Sequence, residues 1–287
     1  MRSLISLCAL ALAAVLTGCA TSIATSSEAA PEAAPTPFYV TIGDPTALDT
    51  NQPTVLITGS NRGIGLEFVK QFSGNGWNVI ATARKPNAAD DLKALAAANP
   101  RIVIEQLDVT DFARIDEIAA KYAETPIDVL LSNAGIVPRC SSAFQRVDGV
   151  DWDMARRSYE VNAIAPLKLS QAFMDNVLAS TQKKIVIISS KAGSFELSPK
   201  MPMMYSYRAS KAGLNMFMYT LSLETKRKGA IVTMLSPGQV NTTPGMNMPG
   251  NIETDESVSK MIAVIDGLTN EHNGQFLDYE DGRVLAW

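Results

Sequence analysis

A tyrosine and a lysine, Tyr207 and Lys211, stand four residues apart in a stretch of helical character, YRASK. Side chains four residues apart on a helix lie on one face, about one turn from each other, so these two should be neighbours. A nearby ammonium favours phenolate over phenol and can bring a side chain with an ordinary pKa of about 10 into acid–base chemistry. The pair therefore predicts a proton donor, although the same spacing also occurs on ordinary solvated helix faces.

A glycine-rich turn follows the first apolar run of the folded region. The run TVLIT at 54–58 leads into TGSNRGIG at 58–65 and then into the helical stretch LEFVKQF. A strand, a glycine turn and a helix N-terminus form an anion site, because free backbone N–H groups and the helix dipole both face a phosphate. The arrangement predicts a bound dinucleotide. The residues of this loop that we expect to bind it are Gly59, Asn61, Arg62, Gly63, Ile64 and Gly65.

The end of the second apolar run, ATARKP, indicates which dinucleotide is bound. An NAD site usually has an acidic residue about 20 positions beyond the glycines, on the ribose 2′-hydroxyl. Here Arg84 and Lys85 stand at that point, and the first acid is Asp90. An arginine suits a 2′-phosphate, and Arg62 in the glycine loop would supply a second cation. The sequence therefore favours NADP over NAD, with an ordinary exposed loop charge as the alternative reading of Arg84.

Short apolar runs alternate with longer segments of helical period, a pattern typical of βαβ units around a parallel sheet. The runs are short and apolar throughout, as expected of strands covered on both faces. We predict an α/β fold with a single doubly wound parallel sheet of about seven strands. The strand candidates are 54–58, 78–83, 102–107, 128–132, 184–189 and 230–236, and the helix candidates are 63–73, 90–98, 112–122, about 152–178 and about 205–228.

Composition excludes several classes of function. The chain has 287 residues and a net charge of −4, and no Lys/Arg run suggests a nucleic-acid surface. Its three cysteines, Cys8, Cys19 and Cys140, are too few and too scattered for a disulfide framework or a metal cluster. We therefore predict no metal site and expect chemistry on a small molecule.

The first residues predict export. Arg2 is followed by an apolar run from Leu4 to Leu16, which is short for a membrane span. The ending LTGC resembles the bacterial lipoprotein signal, in which the chain is cut before a cysteine that then receives lipid. An Ala/Pro/Ser/Thr-rich segment follows and predicts a flexible tether. The expected organisation is a signal peptide at 1–18, a lipidated Cys19 with a disordered tether at 19–52, and one folded domain at 53–287.

Taken together, the motifs from residue 54 onward resemble the short-chain dehydrogenase/reductase family. Besides the glycine loop, the matching segments are LDV at 107–109, SNAG at 132–135, VNAIAP at 161–166, IISSKAGS at 187–194, YRASK at 207–211 and SPGQVNT at 236–242. The resemblance implies a single-domain Rossmann fold. Within the family, the YRASK segment and the C-terminal NGQFLDYEDGRVLAW look most like a carbonyl-reductase branch that includes bacterial C-factor-type proteins. Two departures are Ser132, in place of the usual first asparagine, and Lys191, which could alter the mouth of the pocket.

The resemblance also implies a role for each matching residue. Tyr207 would deliver the proton to a substrate carbonyl while the cofactor delivers hydride. Lys211 would lower the pKa of Tyr207 and hold the nicotinamide ribose, Ser190 would hydrogen-bond the carbonyl oxygen, and Asn162 would fix a water in a proton path to Lys211. The further cofactor-binding residues expected are Asp108, Val109, Asn133, Ala134, Gly135, Pro237, Gly238, Val240 and Thr242, together with Arg84, Tyr207 and Lys211.

The function expected from sequence is an NADPH-dependent carbonyl reductase, or the reverse alcohol oxidation, in a homo-oligomer. The alternative is a nucleotide-binding signalling or surface protein that keeps the fold without significant turnover. The lipid anchor would hold the domain on the periplasmic side, on the outer membrane. Export would separate the domain from the cytoplasmic NADPH pool, and a cytoplasmic location is therefore the alternative.

Overall fold

The structure is a computed structural model that describes residues 38–137, 146–242 and 250–287. An eight-stranded sheet, in the order β1-β4-β3-β2-β5-β6-β7-β8, forms its centre. All strands are parallel except β1, which pairs antiparallel with β4. The strands are β1 (Thr41–Ile42), β2 (Thr54–Ile57), β3 (Asn78–Ala83), β4 (Ile102–Gln106), β5 (Val129–Ser132), β6 (Lys184–Ile188), β7 (Ile231–Ser236) and β8 (Phe276–Asp278).

Helices cover both faces of this sheet, which confirms the predicted α/β, doubly wound fold. The α-helices are α1 (Gly63–Gly74), α2 (Asp90–Ala98), α3 (Phe112–Lys121), α4 (Trp152–Tyr159), α5 (Ala165–Ala172), α6 (Met174–Ala179), α7 (Tyr205–Thr225) and α8 (Thr254–Asp266). A π-helical turn, Glu160–Ile164, joins α4 to α5. The sequence pattern predicted one continuous helix over about 152–178. The π turn and a break at Phe173 divide that segment into three helices.

The core consists of two apolar layers, one on each face of the sheet. Alternate residues of a strand point to opposite faces. In β2, Val55 and Ile57 pack into one layer and Leu56 into the other. Helices α1 and α8 contribute to the first layer, and α3, α5 and α7 contribute to the second. Because both faces are buried, the strands read as continuous apolar runs, and the six predicted from the sequence all lie within a residue of their observed ends.

The strand order reverses direction between β2 and β5. The chain moves outward from β2 through β3 to β4, then crosses back to β5 and continues the other way. Loops that leave the carboxyl ends of β2 and β5 therefore diverge and open a crevice, where open α/β sheets bind their ligands. The predicted glycine loop follows β2 and the SNAG segment follows β5, so the topology places both at this crevice.

Strand β1 corrects the predicted start of the folded domain. The sequence placed residues 19–52 in a flexible tether, but Thr41 and Ile42 pair with β4. The Tyr39 hydroxyl donates to Asp111 at 2.6 Å, and the Arg114 guanidinium lies 4.3 Å from the centre of the Tyr39 ring. The compact unit thus begins at Tyr39. The run FYVTI at 38–42 consists of the aromatic and β-branched residues that favour strands, so the sequence did carry a signal for β1.

A buried carboxylate organises this edge of the sheet. Glu105 in β4 is fully buried, and such a charge is stable only when it is paired and hydrogen-bonded. Arg114 lies 3.0 Å from one of its oxygens and Lys121 lies 2.7 Å from the other. The hydroxyls of Tyr122 and Thr41 also donate to it, at 2.8 and 2.9 Å. Thr41 thus connects the N-terminal strand directly to the charged network.

Several expectations fall on residues 1–37, 138–145 and 243–249, outside the described part of the chain. These include the signal peptide, Cys19 with most of the tether, and Cys140.

No helix in the described part of the chain is both long and apolar enough to cross a membrane. In the same residues, histidine, cysteine, aspartate and glutamate side chains form no group of three or more that could hold a metal ion.

The position of the first strand predicts how much of the N-terminus can be removed. Deleting residues 1–38 should leave the stability of the domain unchanged. Deleting 1–52 should lower the free energy of unfolding by about 3 kcal/mol or more, because several hydrogen bonds of about 1 kcal/mol each are lost. Urea unfolding followed by tryptophan fluorescence compares the two proteins. Equal unfolding midpoints would show that the segment 39–52 contributes nothing to the fold.

Candidate active site

The structure brings the four predicted catalytic side chains together at the carboxyl edge of the sheet. Ser190 lies two residues beyond the end of β6, while Tyr207 and Lys211 occupy the first two turns of α7. Asn162 lies in the π turn. A Cβ atom placed on Gly135, in the loop after β5, would lie 3.3 Å from Asn162 Oδ1 and 3.9 Å from Lys211 Nζ. Four separate elements therefore converge on one point of the crevice.

Tyr207 is held in its neutral form. Burial raises the pKa of its phenol, and a hydrogen bond with the Ser190 side chain opposes that rise. The expected lowering of the Tyr207 pKa by Lys211 therefore does not determine the net direction, which is upward. The reason is that desolvation of the half-buried ring favours the uncharged phenol. A neutral phenol that carries its proton at physiological pH is ready to act as an acid.

Lys211 is a buried cation with one fixed partner. Its side chain is only 5% exposed, and its Nζ donates to the carbonyl oxygen of Ile188 at 2.8 Å. The Nζ lies 5.9 Å from the centre of the Tyr207 ring. Burial lowers the pKa of Lys211 from 10.5 to about 8. The ammonium can therefore gain and lose a proton near neutral pH, which an exposed lysine cannot do.

Asn162 connects three elements through its side-chain amide. Its Oδ1 accepts from the backbone N–H of Ile136 at 2.8 Å, and its Nδ2 donates to the Ile136 carbonyl at 2.9 Å. The same Nδ2 donates to Ser210 Oγ at 3.0 Å, and that hydroxyl donates in turn to the Tyr207 carbonyl at 2.8 Å. Asn162 thus fixes the loop after β5 against the helix that carries Tyr207. π turns within α-helices are frequent at functional sites.

Sequence reasoning missed Ser210, the Ile136 backbone and the Ile188 carbonyl. The two backbone partners carry no signal in a sequence, since their role depends on position and not on residue type. Ser210 offers one weak signal, because a serine inside a helix needs a local hydrogen-bond acceptor and here takes the carbonyl three residues before it.

The glycine loop forms a tight cradle at the start of α1. A Cβ on Gly65 would collide with the Gly59 carbonyl and with the side-chain amide of Asn133. That amide donates to the carbonyls of Thr58 and Gly59, at 2.9 and 3.2 Å. The backbone N–H groups of Asn133 and Ala134 both donate to Thr58 Oγ1 at 3.0 Å. Asn133 and Ala134 therefore brace the glycine loop from the side of β5.

The first turn of α1 is open to an anion. Arg62 occupies the N-cap position, and its side chain makes no capping hydrogen bond. Asn61 and Arg62 are exposed, and Ile64 packs partly against the core. Backbone N–H groups at such a helix start have no partner within the helix, which makes them available to a phosphate.

Arg84 and Arg62 are the two cations predicted to bind a phosphate on the cofactor ribose. Arg84 follows β3 and is exposed. Neither arginine forms an ion pair or a side-chain hydrogen bond within residues 38–137, 146–242 and 250–287. Arg114 and Arg283, in contrast, form ion pairs with nearby carboxylates. The cradle, the open helix start and the two unpaired guanidinium groups fit a dinucleotide with an additional phosphate on its ribose.

Two of the predicted cofactor-binding residues, Asp108 and Val109, have structural roles. Asp108 Oδ1 accepts from the N–H and hydroxyl of Thr110, at 3.1 and 2.8 Å, and Arg157 approaches its other oxygen at 3.7 Å. Val109 is buried to 6% exposure within the second apolar layer. Both Asp108 oxygens thus have partners within the protein, and the Val109 side chain belongs to the core.

The segment after β7 closes the crevice from the opposite side. Pro237 O accepts from Ser257 Oγ at 2.7 Å, and Val240 forms an isolated bridge with Ile252. A Cβ on Gly63 would lie 3.4 Å from the Thr242 side chain, so Thr242 meets the glycine loop. The ring of Tyr279 packs against Gly238. Of the predicted residues of this segment, Thr242 thus meets the glycine loop, and the other three pack against the C-terminal part of the domain.

A second cavity, of about 800 Å³, lies at the opposite edge of the sheet. It is lined at the amino ends of the strands, by residues such as Thr54, Asn78, Asp128 and Gln182. None of the predicted site residues lines it. Ligands of open α/β sheets bind at the carboxyl edge, so the crevice remains the candidate site.

Comparison with known proteins agrees with this geometry. The model of the short chain dehydrogenase family matches residues 53–253. The chain belongs to the short-chain dehydrogenase family. An uncharacterised oxidoreductase of Schizosaccharomyces pombe is 32% identical to this dehydrogenase over 260 residues, covering 84% of the chain and 100% of the relative. The C-signal protein of Myxococcus xanthus is 32% identical over 169 residues, covering 59% of the chain and 98% of the relative.

A solved structure shows the same fold. The carbonyl reductase from chicken fatty liver, crystallised with bound NADPH, is 35% identical in sequence and superposes with a TM-score of 0.75. The match covers 82% of this chain and 94% of that structure. The convergent tyrosine, serine, lysine and asparagine therefore lie in the fold of an oxidoreductase family.

The buried charge of Lys211 predicts a stabilising substitution. One pKa unit corresponds to about 1.4 kcal/mol. The fall in pKa from 10.5 to about 8 thus represents roughly 3 kcal/mol lost from the folded state while Lys211 is charged. Lys211→Met removes this cost together with the hydrogen bond to Ile188, so the free energy of unfolding should rise by about 2 kcal/mol at neutral pH.

The stability gained by Lys211→Met should decrease as the pH rises above about 8. Below about pH 8 both the folded and the unfolded wild-type chain carry the charge, so the advantage of Lys211→Met is complete. Between about pH 8 and 10 the folded chain loses the proton while the unfolded chain keeps it, so the wild type gains stability and the gap narrows. Urea unfolding of both proteins across this range measures the gap. A pH-independent gap, or a less stable variant at neutral pH, would contradict the assignment.

Proposed function

We propose that this short-chain dehydrogenase is an NADPH-dependent carbonyl reductase that also catalyses the reverse alcohol oxidation. The observation that carries the proposal is Tyr207, a neutral phenol that is hydrogen-bonded to Ser190 and lies one helical turn from a buried ammonium. Reduction of a carbonyl creates negative charge on its oxygen, and a proton must be delivered there. The site offers one proton donor, Tyr207. Two further groups, Ser190 and Lys211, can stabilise the phenolate that remains when the proton has been transferred.

Bound NADPH would supply the hydride to the carbonyl carbon. Tyr207 Oη holds the proton until the carbonyl oxygen develops charge, since burial keeps the phenol protonated at physiological pH. When the proton leaves, the Ser190 hydrogen bond favours the phenolate that remains, which is the direction in which it shifts the pKa of Tyr207. The Lys211 ammonium, 5.9 Å from the ring centre, stabilises the same charge.

Lys211 is also suited to return a proton to the phenolate. An acid is most effective when its pKa lies near the operating pH, and the Lys211 pKa of about 8 satisfies this condition. The role proposed for Asn162 is positional. Its amide fixes Ile136 and Ser210, so the loop after β5 and the catalytic helix keep their distance during turnover.

Two observations support NADPH as the cofactor. Arg62 and Arg84 are exposed at the predicted position of the adenosine ribose, and both lack partners within the described ranges. The solved relative from chicken fatty liver was crystallised with NADPH. An arginine binds a 2′-phosphate through charged hydrogen bonds that a 2′-hydroxyl does not provide.

A second candidate is a signalling protein that binds nucleotide without significant turnover. The relative from Myxococcus xanthus that carries the name C-signal favours it. Such a protein needs the glycine cradle but has no need of a proton donor. One measurement therefore separates the two functions. It asks whether replacement of Tyr207 changes the rate at which NADPH is oxidised in the presence of a carbonyl compound.

Tyr207→Phe should slow carbonyl reduction by roughly two to four orders of magnitude and leave NADPH binding unchanged, because only the proton donor is lost. NADPH oxidation is measured at 340 nm with a panel of aldehydes and ketones, and binding is measured by NADPH fluorescence. Tyr205→Phe is the matched control, since Tyr205 lies on the same helix and is exposed. Equal turnover in the Tyr207 variant and the wild type would remove the assignment, and absence of turnover in both would favour the signalling function.

Arg84→Asp should weaken NADPH binding by about 1.5–3 kcal/mol, roughly 10- to 100-fold, because a charged hydrogen bond to the 2′-phosphate is lost. NADH, which lacks that phosphate, should bind with little change. Lys85→Asp is the matched control for net charge, as it alters the neighbouring exposed cation. Titration of both cofactors against the three proteins gives the selectivity. If the Arg84 variant loses affinity for NADPH and NADH equally, the arginine does not bind the 2′-phosphate.

A further inference from the structure

The C-terminal strand ends at the catalytic edge of the sheet. β8 runs parallel to β7, with Asp278 opposite Ser236, so the carboxyl ends of both strands point toward the crevice. Tyr279 N–H donates to the Ser236 carbonyl at 3.0 Å, and its ring packs against Gly238 of the predicted cofactor segment. The short turn after β8 therefore contacts the site even though none of the catalytic residues belongs to it.

Asp278 is a fully buried carboxylate, with none of its side chain exposed. The Lys191 ammonium lies 2.7 Å from its Oδ2, and the Arg283 guanidinium lies 3.5 Å from the same oxygen. Its Oδ1 accepts from the backbone N–H of Glu280 at 3.1 Å. A buried charge must be paired to be tolerated, so the Lys191 side chain is held at Asp278 and is not free to move with solvent.

Lys191 directly follows Ser190 in the chain. Together they begin a short 3₁₀ turn, Lys191–Gly193, in which Ser190 Oγ accepts from the Ala192 N–H at 3.1 Å. The other end of the turn is fixed by close approach, because a Cβ on Gly193 would lie 2.8–2.9 Å from backbone and Cβ atoms of Lys211. The turn that carries Ser190 is thus fixed at its end by Lys211 and at its start by the Lys191–Asp278 ion pair.

We propose that Asp278 is a positioning residue for Ser190 and acts through Lys191. The ion pair holds the start of the 3₁₀ turn so that the Ser190 hydroxyl faces Tyr207. In this role Asp278 contacts neither the substrate nor the cofactor. The inference deepens the proposed carbonyl reductase function and rests on it for its kinetic consequence, whereas the effect on the Ser190–Tyr207 hydrogen bond stands independently.

That hydrogen bond can be observed directly. Protein labelled with [¹³Cζ]tyrosine shows one resonance for each of the seven tyrosines, and Tyr207→Phe identifies the Tyr207 signal by its loss. Ser190→Ala gives the position of this signal without the hydrogen bond. Asp278→Asn and Lys191→Met should both move the signal toward that position at neutral pH. Asp281→Asn, which changes a neighbouring exposed carboxylate on the same turn, should leave it unchanged.

Kinetics provide the second readout. Asp278→Asn should lower kcat for carbonyl reduction by about 10- to 100-fold, the typical effect of displacing a catalytic group by a fraction of an ångström to one ångström, with NADPH affinity unchanged. In a Ser190→Ala background the same substitution should have no further effect, because the group that it positions is absent. A purely structural role would instead lower kcat equally in both backgrounds.

The outcomes separate the two proposals. If the Tyr207 signal of Asp278→Asn coincides with that of the wild type, the positioning role is wrong whether or not the protein reduces carbonyls. If the signal moves but the wild type shows no turnover with any carbonyl compound, the positioning role stands and the carbonyl reductase function fails. Should Asp278→Asn not fold, Lys191→Met at a half-exposed position and the charge-neutral double variant Lys191→Met/Asp278→Asn carry the same test.

Discussion

The buried ammonium of Lys211 is the constraint around which the catalytic edge is arranged. A lone cation in an apolar interior is costly, and the fall of its pKa to about 8 measures that cost. The structure offsets only part of it, with one hydrogen bond to the Ile188 carbonyl. No carboxylate among the described residues forms an ion pair with Lys211. A nearby carboxylate would hold the lysine permanently charged and remove its ability to exchange a proton.

The surrounding backbone must approach this lysine closely. Gly193 allows the turn after β6 to lie against the Lys211 backbone, and Gly135 allows the loop after β5 to lie beside its Nζ. These loops leave adjacent strands, β5 and β6, so the parallel sheet sets their separation. Loops far apart in sequence, after β5 and after β6, therefore reach the same lysine without any one loop having to be long. The sheet sets the positions of these loops, and the glycines allow the loops to approach Lys211 closely.

The sequence predicted the strands well, and the residues of its motifs come together in the structure, for a physical reason. Strands buried on both faces read as apolar runs, and the glycine loop and the Tyr207/Lys211 spacing express local geometry directly. What it could not predict depends on partners distant in the chain. The Lys191–Asp278 pair spans most of the C-terminal third of the protein, and the π turn at Asn162 has no residue pattern of its own. Strand β8 is only three residues long, and helix α8 was overlooked although its period is helical.

The distribution of energetically costly features distinguishes an enzyme from a binding protein. A nucleotide-binding module requires the glycine cradle and the open start of α1, both of which are compatible with a stable fold. It has no use for a desolvated lysine, for a π turn, or for Met204, a non-glycine residue with a left-handed φ of 53° directly before the helix of Tyr207. Each of these lowers stability, and strained or desolvated groups persist where function requires them. Of the two non-glycine residues with left-handed φ in the described ranges, the other, Lys183, lies in the turn before β6, at the opposite end of that strand from Ser190. The desolvated lysine, the π turn and Met204 lie beside Tyr207 and not in the nucleotide cradle, and this distribution supports the proposed proton transfer at Tyr207.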